Sequence, residues 1–180
     1  MLNVGSISKS LKLVILDIDG VLNNSPFVLE AHKKVFGDKF RAVKEEDFDQ
    51  LARESIDPKA ISILNDLIAG SGAKVVISSN WRLHYTASEI LVMLKNKGFI
   101  GEIIGTTSEI TRGIPENRRA FEISDWLVAH EKLETIESLV ILDDEEIGCG
   151  WDDHQVRTDK SNGLTKEDVD KALEILKLEW

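Results

Sequence analysis

The length and charge of the chain narrow the kinds of protein it can be. Its 180 residues provide for a single domain over 1–180 with a substantial core, and a second full domain does not fit. The formal net charge of −10 repels polyanions, so we expect no long nucleic acid as a partner. The single cysteine, Cys149, excludes an internal disulfide, and the sequence has neither a signal-like start nor a membrane-length apolar run. We therefore expect a cytoplasmic protein with no membrane partner.

The first predicted strand, residues 13–16 of LVILDIDGVL, follows a segment, residues 1–10, that we expect to be a short flexible lead-in. The strand runs directly into two aspartates. A continuous apolar run is typical of a strand buried on both faces, and open α/β sheets bind ligands at the carboxyl ends of such strands. Asp17 and Asp19 are therefore our candidate catalytic pair. Carboxylates crowded at that edge repel each other and lose water, which favours a divalent cation between them. Alone, however, Asp-x-Asp-Gly is more typical of an ordinary turn, since Asp and Gly are common turn residues.

The segment 24–57 has mixed charge and aromatic residues but no strand signal. We expect a small cap or lid insertion here, with one or two short helices within 30–40 and 45–54. Its predicted apolar contacts are Phe27, Val35, Phe36, Phe40, Phe48 and Leu51. The alternative is a helical connection that only packs on the sheet.

The rest of the chain alternates predicted helices and strands. Asp57-Pro58 begins a helix that ends at 70–72, and later helices cover the residues up to about 97, 118–133, and the segment after a Thr165 cap. Strands are predicted at 73–78, 100–104 and 139–142, and 154–158 is compatible with a fifth. This alternation predicts an α/β fold with a parallel sheet of about five strands and right-handed crossovers.

Two later strands also end in polar side chains. The strand in KVVISSNWR leads into Ser78 and Ser79, and the strand in LVILDDEE leads into Asp143 and Asp144. Three strand ends are thus expected to bring hydroxyls and carboxylates to one edge of the sheet.

With these motifs in this order, the sequence resembles the haloacid dehalogenase-like phosphohydrolases. The resemblance rests on DIDGV at 17–21, the strand-terminal Ser78, a basic residue before the last acidic strand, and the Asp143–Asp144 pair. It is most similar to the branch found in Swiss Army Knife RNA-repair proteins, through SSNWR at 78–82, IIGTT, RAFEISDWL at 119–127 and the late GLT. The resemblance implies a three-layer Rossmann-like fold with a cap that selects substrates.

Each aspartate of the first motif has an expected role in phosphoryl transfer. Asp17 would attack phosphorus and form an aspartyl-phosphate, which water then hydrolyses. Asp19 lies on the same side of the extended chain, so it is placed to protonate the leaving group and later deprotonate the water. The resemblance implies that the backbone carbonyl of Asp19 also binds the metal, and that a second aspartate here is typical of phosphatases and not of dehalogenases.

Mg²⁺ is the expected cofactor, because it prefers oxygen ligands and keeps several waters. Asp17, the Asp19 carbonyl and one or both of Asp143 and Asp144 form a sufficient ligand set. We favour Asp143 as the direct ligand and Asp144 as the water-mediated one, although spacing does not decide between them. Zinc is disfavoured because the four histidines show no ligand spacing with one another or with Cys149.

Four residues after the second strand are candidate contacts to the substrate. Ser78 is expected to donate to a phosphoryl oxygen, with Ser79 as the weaker candidate, and either serine is alternatively a helix cap. Arg82 suits bidentate phosphate recognition. Trp81 offers a face for stacking on a base or sugar, and a plug in the core explains it equally well.

The resembled family also requires a cation that offsets the charge of nucleophile and phosphate. Arg118 and Arg119 are the candidates, and Arg119 aligns better with the basic residue of the branch, where the wider superfamily has lysine. The alternative for Arg119 is a surface salt bridge to a nearby glutamate.

These residues together predict a Mg²⁺-dependent phosphatase that cleaves a phosphate monoester. The resemblance points to a nucleotide or a phosphorylated nucleic-acid end as substrate, and the acidic charge leaves a small phosphorylated metabolite equally open. The alternative from another class is a non-catalytic phosphate- or nucleotide-binding regulatory module with the same fold. The physiological substrate and the oligomeric state do not follow from the sequence.

Overall fold

A parallel five-stranded sheet forms the centre of the structure, which is a computed structural model that describes residues 10–37, 44, 47–110, 118–130 and 135–178. The strands are β1 (Ser10–Leu16), β2 (Lys74–Ile77), β3 (Ile103–Thr106), β4 (Thr135–Asp143) and β5 (Gln155–Arg157). Their spatial order is β3-β2-β1-β4-β5, and every neighbouring pair is parallel. The strand that carries Asp17 therefore lies in the middle of the sheet, as its continuous apolar run predicted.

Six helices are described, and the two caps predicted from the sequence, Asp57 and Thr165, are present. The helices are α1 (Ser25–Phe36), α2 (Phe48–Ser55), α3 (Pro58–Ser71), α4 (Ala87–Lys95), α5 (Arg118–His130) and α6 (Lys166–Ile175). The Asp57 side chain accepts a hydrogen bond from the Lys59 amide at 2.8 Å, and proline opens α3. Thr165 and Asp168 form a capping box at the start of α6.

Helices cover both faces of the sheet, which gives three layers. Alternate residues of each strand point to opposite faces. On one face the strand residues Val14, Leu16, Val75, Ile77, Val140 and Leu142 pack with α3, α4 and α6. On the other face, Leu13, Ile15, Val76, Leu139 and Ile141 pack with α5. The predicted α/β fold with a Rossmann-like parallel sheet is confirmed.

The first two helices occupy the segment between β1 and α3. They pack against each other, and Lys34 of α1 forms an ion pair with Glu54 of α2 at 2.7 Å. Asn24 caps α1 by accepting from the Phe27 amide at 2.9 Å and donates to Asp57 at 3.2 Å, which ties α1 to the start of α3. The helices predicted within 30–40 and 45–54 are thus present with shifted bounds, and Phe40 lies outside the described residues.

Other predicted bounds differ for local reasons. The third strand begins at Ile103 and not at 100, because the side chain of Asn65 binds the Gly98 carbonyl and the Ile100 amide and holds that stretch as a loop. After β2, a 3₁₀ helix (Asn80–Leu83) precedes α4, which Thr86 caps. Residues 1–9 of the predicted lead-in and residues 131–133 of the predicted helix are outside the described part. Within the described ranges, no helix combines the length and apolarity needed to cross a membrane.

The core that supports β1 is expected to tolerate cavities poorly. Leu64 of α3 is fully buried, so Leu64→Ala should lower the free energy of unfolding by about 2–5 kcal/mol. Val92 of α4 is 53% exposed, and Val92→Ala should change it by less than about 0.5 kcal/mol. Urea unfolding measures both variants. Equal losses would contradict this assignment of the core.

Candidate active site

The carboxyl ends of the strands bring polar residues to one edge through backbone hydrogen bonds. The Asp17 amide donates to the Leu142 carbonyl at 2.9 Å, and the Ser78 amide donates to Leu16 at 2.8 Å. The Thr158 amide likewise donates to the Asp143 carbonyl at 3.0 Å. Because these bonds continue the ladders of β1, β2, β4 and β5, each polar residue holds a fixed position beside its neighbours. The expected convergence of three motifs at one edge is present.

Arg119 of α5 joins two buried aspartates at this edge. Its guanidinium lies 2.7 Å from Asp17 Oδ2 and also forms an ion pair with Asp143 Oδ2. Both carboxylates are almost inaccessible, at 4% exposure for Asp17 and 1% for Asp143. Backbone amides complete their coordination, since Ile18 N donates to Asp17 Oδ1 at 2.8 Å and Glu145 N donates to Asp143 Oδ1 at 2.9 Å. One arginine thus offsets the charge of two desolvated carboxylates.

Burial sets the ionisation of this cluster. It raises the pKa of Asp17, while Arg119 acts in the opposite direction. Burial and repulsion from Asp17 raise the pKa of Asp143 to about 7. Burial also raises the pKa of Asp144, with a contribution from Glu145. The raised pKa values show that the protein stabilises the negative charge of these three carboxylates less well than water would.

The same carboxylates suit a divalent cation. Asp17, Asp143 and Asp144 each offer an oxygen, and these atoms all lie within 4.8 Å of one another. An all-oxygen donor set beside a partly exposed opening fits Mg²⁺, which accepts a few carboxylates and keeps its remaining waters. A cation there would offset the negative charge left by Arg119. The residues present therefore fit the predicted metal.

The turn that carries Asp19 is held by three neighbours. Trp81 Nε1 donates to both carboxylate oxygens of Asp19 at 3.1 Å, and Asn23 Nδ2 donates to Asp19 Oδ1 at 2.8 Å. Asn23 also accepts from the Gly20 amide at 3.0 Å, and Thr158 Oγ1 donates to the Gly20 carbonyl at 2.9 Å. These bonds orient an otherwise exposed carboxylate.

Gly20 is required by the geometry of this turn. Its φ is +70°, a left-handed conformation that side-chain-bearing residues rarely adopt. A Cβ at this position would also collide with the side chain of Asp144. The glycine therefore lets the acidic turn approach the third carboxylate of the cluster.

The two serines after β2 occupy different environments. The Ser79 hydroxyl is close enough to Asp17 to act toward a lower pKa of that carboxyl, and its oxygen accepts from the Trp81 amide at 3.4 Å at the start of the 3₁₀ helix. Ser78 is 1% exposed, and its hydroxyl has no hydrogen-bond partner. Ser79 thus interacts with the candidate nucleophile, and the phosphate contacts of Ser78 and Ser79 stay predictions.

Arg82 is engaged inside the protein. Its guanidinium forms an ion pair with Glu122 of α5 and donates to the Ser79 carbonyl, and the side chains of Arg82 and Glu122 are only 3% and 1% exposed. Burial lowers the pKa of Arg82, and Glu122 counteracts that effect. The bidentate contact between Arg82 and phosphate stays a prediction, and forming it would require the guanidinium to give up these partners. In the structure, the arginine connects the loop after β2 to α5.

Among the described residues, cavities that open at this edge include three next to the site. One of about 480 Å³ is lined by Asp19, Trp81, Tyr85 and residues of α2, and another of about 500 Å³ contains Asp19, Asp144 and Lys160. A smaller one of about 240 Å³ contains Asn80, Arg118 and Arg119. Asp19 therefore stands between two cavities large enough for a small molecule.

Comparison with protein families matches residues 13–169 to the family described as the HAD domain in Swiss Army Knife RNA repair proteins. The chain belongs to this haloacid dehalogenase-like family. It is a HAD-like hydrolase. A solved hydrolase of the haloacid dehalogenase-like family from Streptococcus pneumoniae is similar over 77% of each chain, with 13% identity and a TM-score of 0.38. No curated protein matches significantly.

Arg118 and Arg119, the two candidates for the cation beside the nucleophile, have different partners in this HAD domain. Arg119 contacts the aspartates, whereas Arg118 has a side chain that is 41% exposed and lies 3.5 Å from Glu122. The glutamate salt bridge that the sequence left open for Arg119 is thus formed by Arg118. Trp81 is 9% exposed, which agrees with the alternative of a core plug, and it also binds Asp19.

Sequence reasoning missed three residues of this HAD site: Asn23, Glu122 and Thr158. Glu122 had a usable signal, because it lies four residues after Arg118 in a predicted helix. Asn23 and Thr158 act through contacts across the fold, which spacing along the chain does not indicate.

Removal of Arg119 should expose the repulsion between the aspartates. Arg119→Ala leaves Asp17 and Asp143 buried without a countercharge, so we expect a loss of about 3–5 kcal/mol in unfolding free energy without metal. Adding Asp143→Asn should recover part of that loss. Arg118→Ala is the matched control and should cost less than about 1 kcal/mol. Urea unfolding in EDTA measures all three, and equal losses in the two single variants would refute the assignment.

The buried Arg82–Glu122 pair allows a separate test. Arg82→Met removes the buried partner of Glu122 and leaves it only the partly exposed Arg118 at 3.5 Å, so it should destabilise the protein by about 3 kcal/mol, and Arg82→Met with Glu122→Leu should recover most of that loss. Thermal and urea unfolding report these changes. A stable Arg82→Met protein with weakened phosphate binding would instead support the phosphate contact that the sequence predicted.

Proposed function

We propose that this hydrolase is a Mg²⁺-dependent phosphatase that cleaves phosphate monoesters through an aspartyl-phosphate on Asp17. The observation that supports it best is the placement of Asp17, a buried carboxylate that shares Arg119 with Asp143 and lies beside the Ser79 hydroxyl. A nucleophile, a fixed cation and a donor for phosphoryl oxygens are therefore adjacent. Phosphoryl transfer depends mainly on such positioning and charge stabilisation.

Asp17, Asp143 and Asp144 would hold the Mg²⁺, together with the Asp19 carbonyl that the family resemblance implies. When bound, the metal supplies positive charge that orients and neutralises the oxygens of the phosphoryl group. Asp144 lies against Gly20, so the turn that carries Asp19 is next to the carboxylates that would hold the metal.

In the first step, a carboxylate oxygen of Asp17 forms a bond to phosphorus while the ester P–O bond breaks. The departing oxygen takes the proton that Asp19 carries, and the alcohol leaves. In the second step, Asp19 takes a proton from water, the water oxygen bonds to phosphorus, and the bond to Asp17 breaks. Inorganic phosphate leaves, and both aspartates return to their starting states.

Several residues would prepare these steps without bond changes of their own. The Ile18 amide and Arg119 fix the two oxygens of Asp17, which orients the attacking carboxylate. Trp81 and Asn23 hold the Asp19 carboxylate beside the cavities. Ser79 is the preferred donor to a phosphoryl oxygen, with Ser78 as the second candidate because its buried hydroxyl lacks a partner.

The α1–α2 segment is proposed as the small cap over 24–57. It lies between β1 and α3, and residues of α1 and α2 line the two cavities that flank Asp19. A cap in this position would select the leaving group. A nucleotide or a phosphorylated nucleic-acid end is the substrate class suggested by the RNA-repair name of the family.

The proposal predicts that activity depends on Asp17 and on metal. With Mg²⁺, wild type should release phosphate from a panel of phosphate monoesters, and Asp17→Asn should lose at least about a thousandfold in kcat/KM. EDTA should abolish release, and added Mg²⁺ should restore it. Asp19→Asn should retain metal binding but lose turnover.

Two results would count against this mechanism. Equal rates in wild type and Asp17→Asn would remove Asp17 as the nucleophile. Binding of phosphate or nucleotide without metal-dependent turnover across the panel would favour the regulatory module over the enzyme. Matched unfolding curves for the variants exclude misfolding as the cause of lost activity.

A further inference from the structure

The cavity of about 480 Å³ beside Asp19, which we call the aromatic cavity, is lined in part by aromatic rings. Phe48 of α2 contributes to it, as do Trp81, His84 and Tyr85 after β2. Leu51 and Val28 add aliphatic surface. Its size lies within the range of small-molecule sites, and the rings provide flat surfaces for a planar group.

The charged residues that line the aromatic cavity indicate which ligands it can hold. Its described lining residues include Asp19 and Asp49 but neither lysine nor arginine. Asp49 accepts a hydrogen bond from the Tyr85 hydroxyl at 3.0 Å, so an acidic side chain is fixed at this wall. Arg53 of α2 lies near this wall, but it is paired with Asp49 at 3.8 Å. A second phosphate in the cavity would therefore lose water and face two carboxylates, which is costly. The cavity therefore suits an uncharged group.

The aromatic cavity borders Asp19, the proton donor of the proposed reaction. Trp81 forms part of its wall, and the indole N–H of that residue binds both oxygens of Asp19. The group that receives the proton from Asp19 is the leaving alcohol. An alcohol that departs on this side enters the aromatic cavity.

We propose that the aromatic cavity binds the leaving group, and that the preferred substrates are phosphate monoesters of uncharged alcohols that carry a planar ring, with nucleoside monophosphates as the fitting class. This inference rests on the proposed phosphatase function and narrows its substrate. It disfavours phosphorylated oligonucleotide ends, whose leaving group carries further phosphodiester charges.

The cavity of about 500 Å³ on the other side of Asp19 differs from the aromatic cavity because a cation contributes to its lining. Its lining contains Lys160 and His32, and it reaches Asp144. A leaving group with its own negative charge would fit there better. Substrate charge therefore distinguishes the two cavities.

The first experiment compares kcat/KM with Mg²⁺ for four probes. They are adenosine 5′-monophosphate, ribose 5-phosphate, adenosine 3′,5′-bisphosphate and a 5′-phosphorylated adenylyl dinucleotide. We expect the monophosphate to exceed ribose 5-phosphate by at least about tenfold, from ring stacking, and to exceed both charged probes. A bisphosphate or dinucleotide that is equal or better would overturn the inference and point to the cavity with Lys160.

The second experiment uses a matched pair of exposed phenylalanines. Phe48 of α2 is 54% exposed and lines the cavity, whereas Phe121 of α5 is 42% exposed and is not among its described lining residues. Phe48→Ala should raise KM for adenosine 5′-monophosphate about tenfold and leave ribose 5-phosphate unchanged. Phe121→Ala should change neither. Equal effects of both variants, or an equal effect on both substrates, would refute the proposed stacking.

Binding without turnover separates this inference from the proposed function. Saturation-transfer NMR with the Asp17→Asn protein should detect adenosine but not ribose, and Phe48→Ala should weaken the adenosine signal. If adenosine binds while no phosphate is released from any probe by wild type, the phosphatase fails and the cavity assignment stands. If phosphate is released but adenosine and ribose bind alike, the cavity assignment fails and the phosphatase stands.

Discussion

The contact on which this site depends is the shared interaction of Arg119 with Asp17 and Asp143. Two carboxylates with almost no solvent exposure would repel each other strongly if nothing lay between them. The arginine, held on α5, keeps both in place, and the backbone amides of Ile18 and Glu145 satisfy their remaining oxygens. One cation does not balance two buried carboxylates and the nearby Asp144, and a bound divalent metal would offset the remaining negative charge.

The surrounding fold fixes Asp17 and Asp143 in place and leaves Asp19 open to solvent. Backbone ladders fix Asp17 and Asp143, and the buried Arg82–Glu122 pair joins the loop after β2 to the helix that carries Arg119. By contrast, Asp19 is exposed and depends on side-chain contacts from Trp81 and Asn23. Rigid placement suits a nucleophile, while access to both cavities suits a group that exchanges protons with the leaving alcohol and water.

The sequence predicted the elements and the strand-end residues well, because buried strands, caps and acidic strand ends are local signals. It predicted the fold class and the convergence of Asp17 with the later acidic pair. The roles of Arg82 and Trp81 depended on partners distant in sequence, Glu122 and Asp19, which periodicity does not identify. Ser78 and Ser79 were adjacent and chemically alike, so only the geometry of the chain after β2 separated them.

The most direct test of the central claim is to locate the phosphoryl group during turnover. Asp19→Asn protein, in which hydrolysis of the intermediate should be slow, is incubated with Mg²⁺ and a phosphate monoester, quenched in acid, digested and analysed by mass spectrometry. A phosphoryl adduct is expected on Asp17, and it should be absent when Asp17→Asn is added. An adduct on another residue, or no adduct in protein that still releases phosphate, would contradict it.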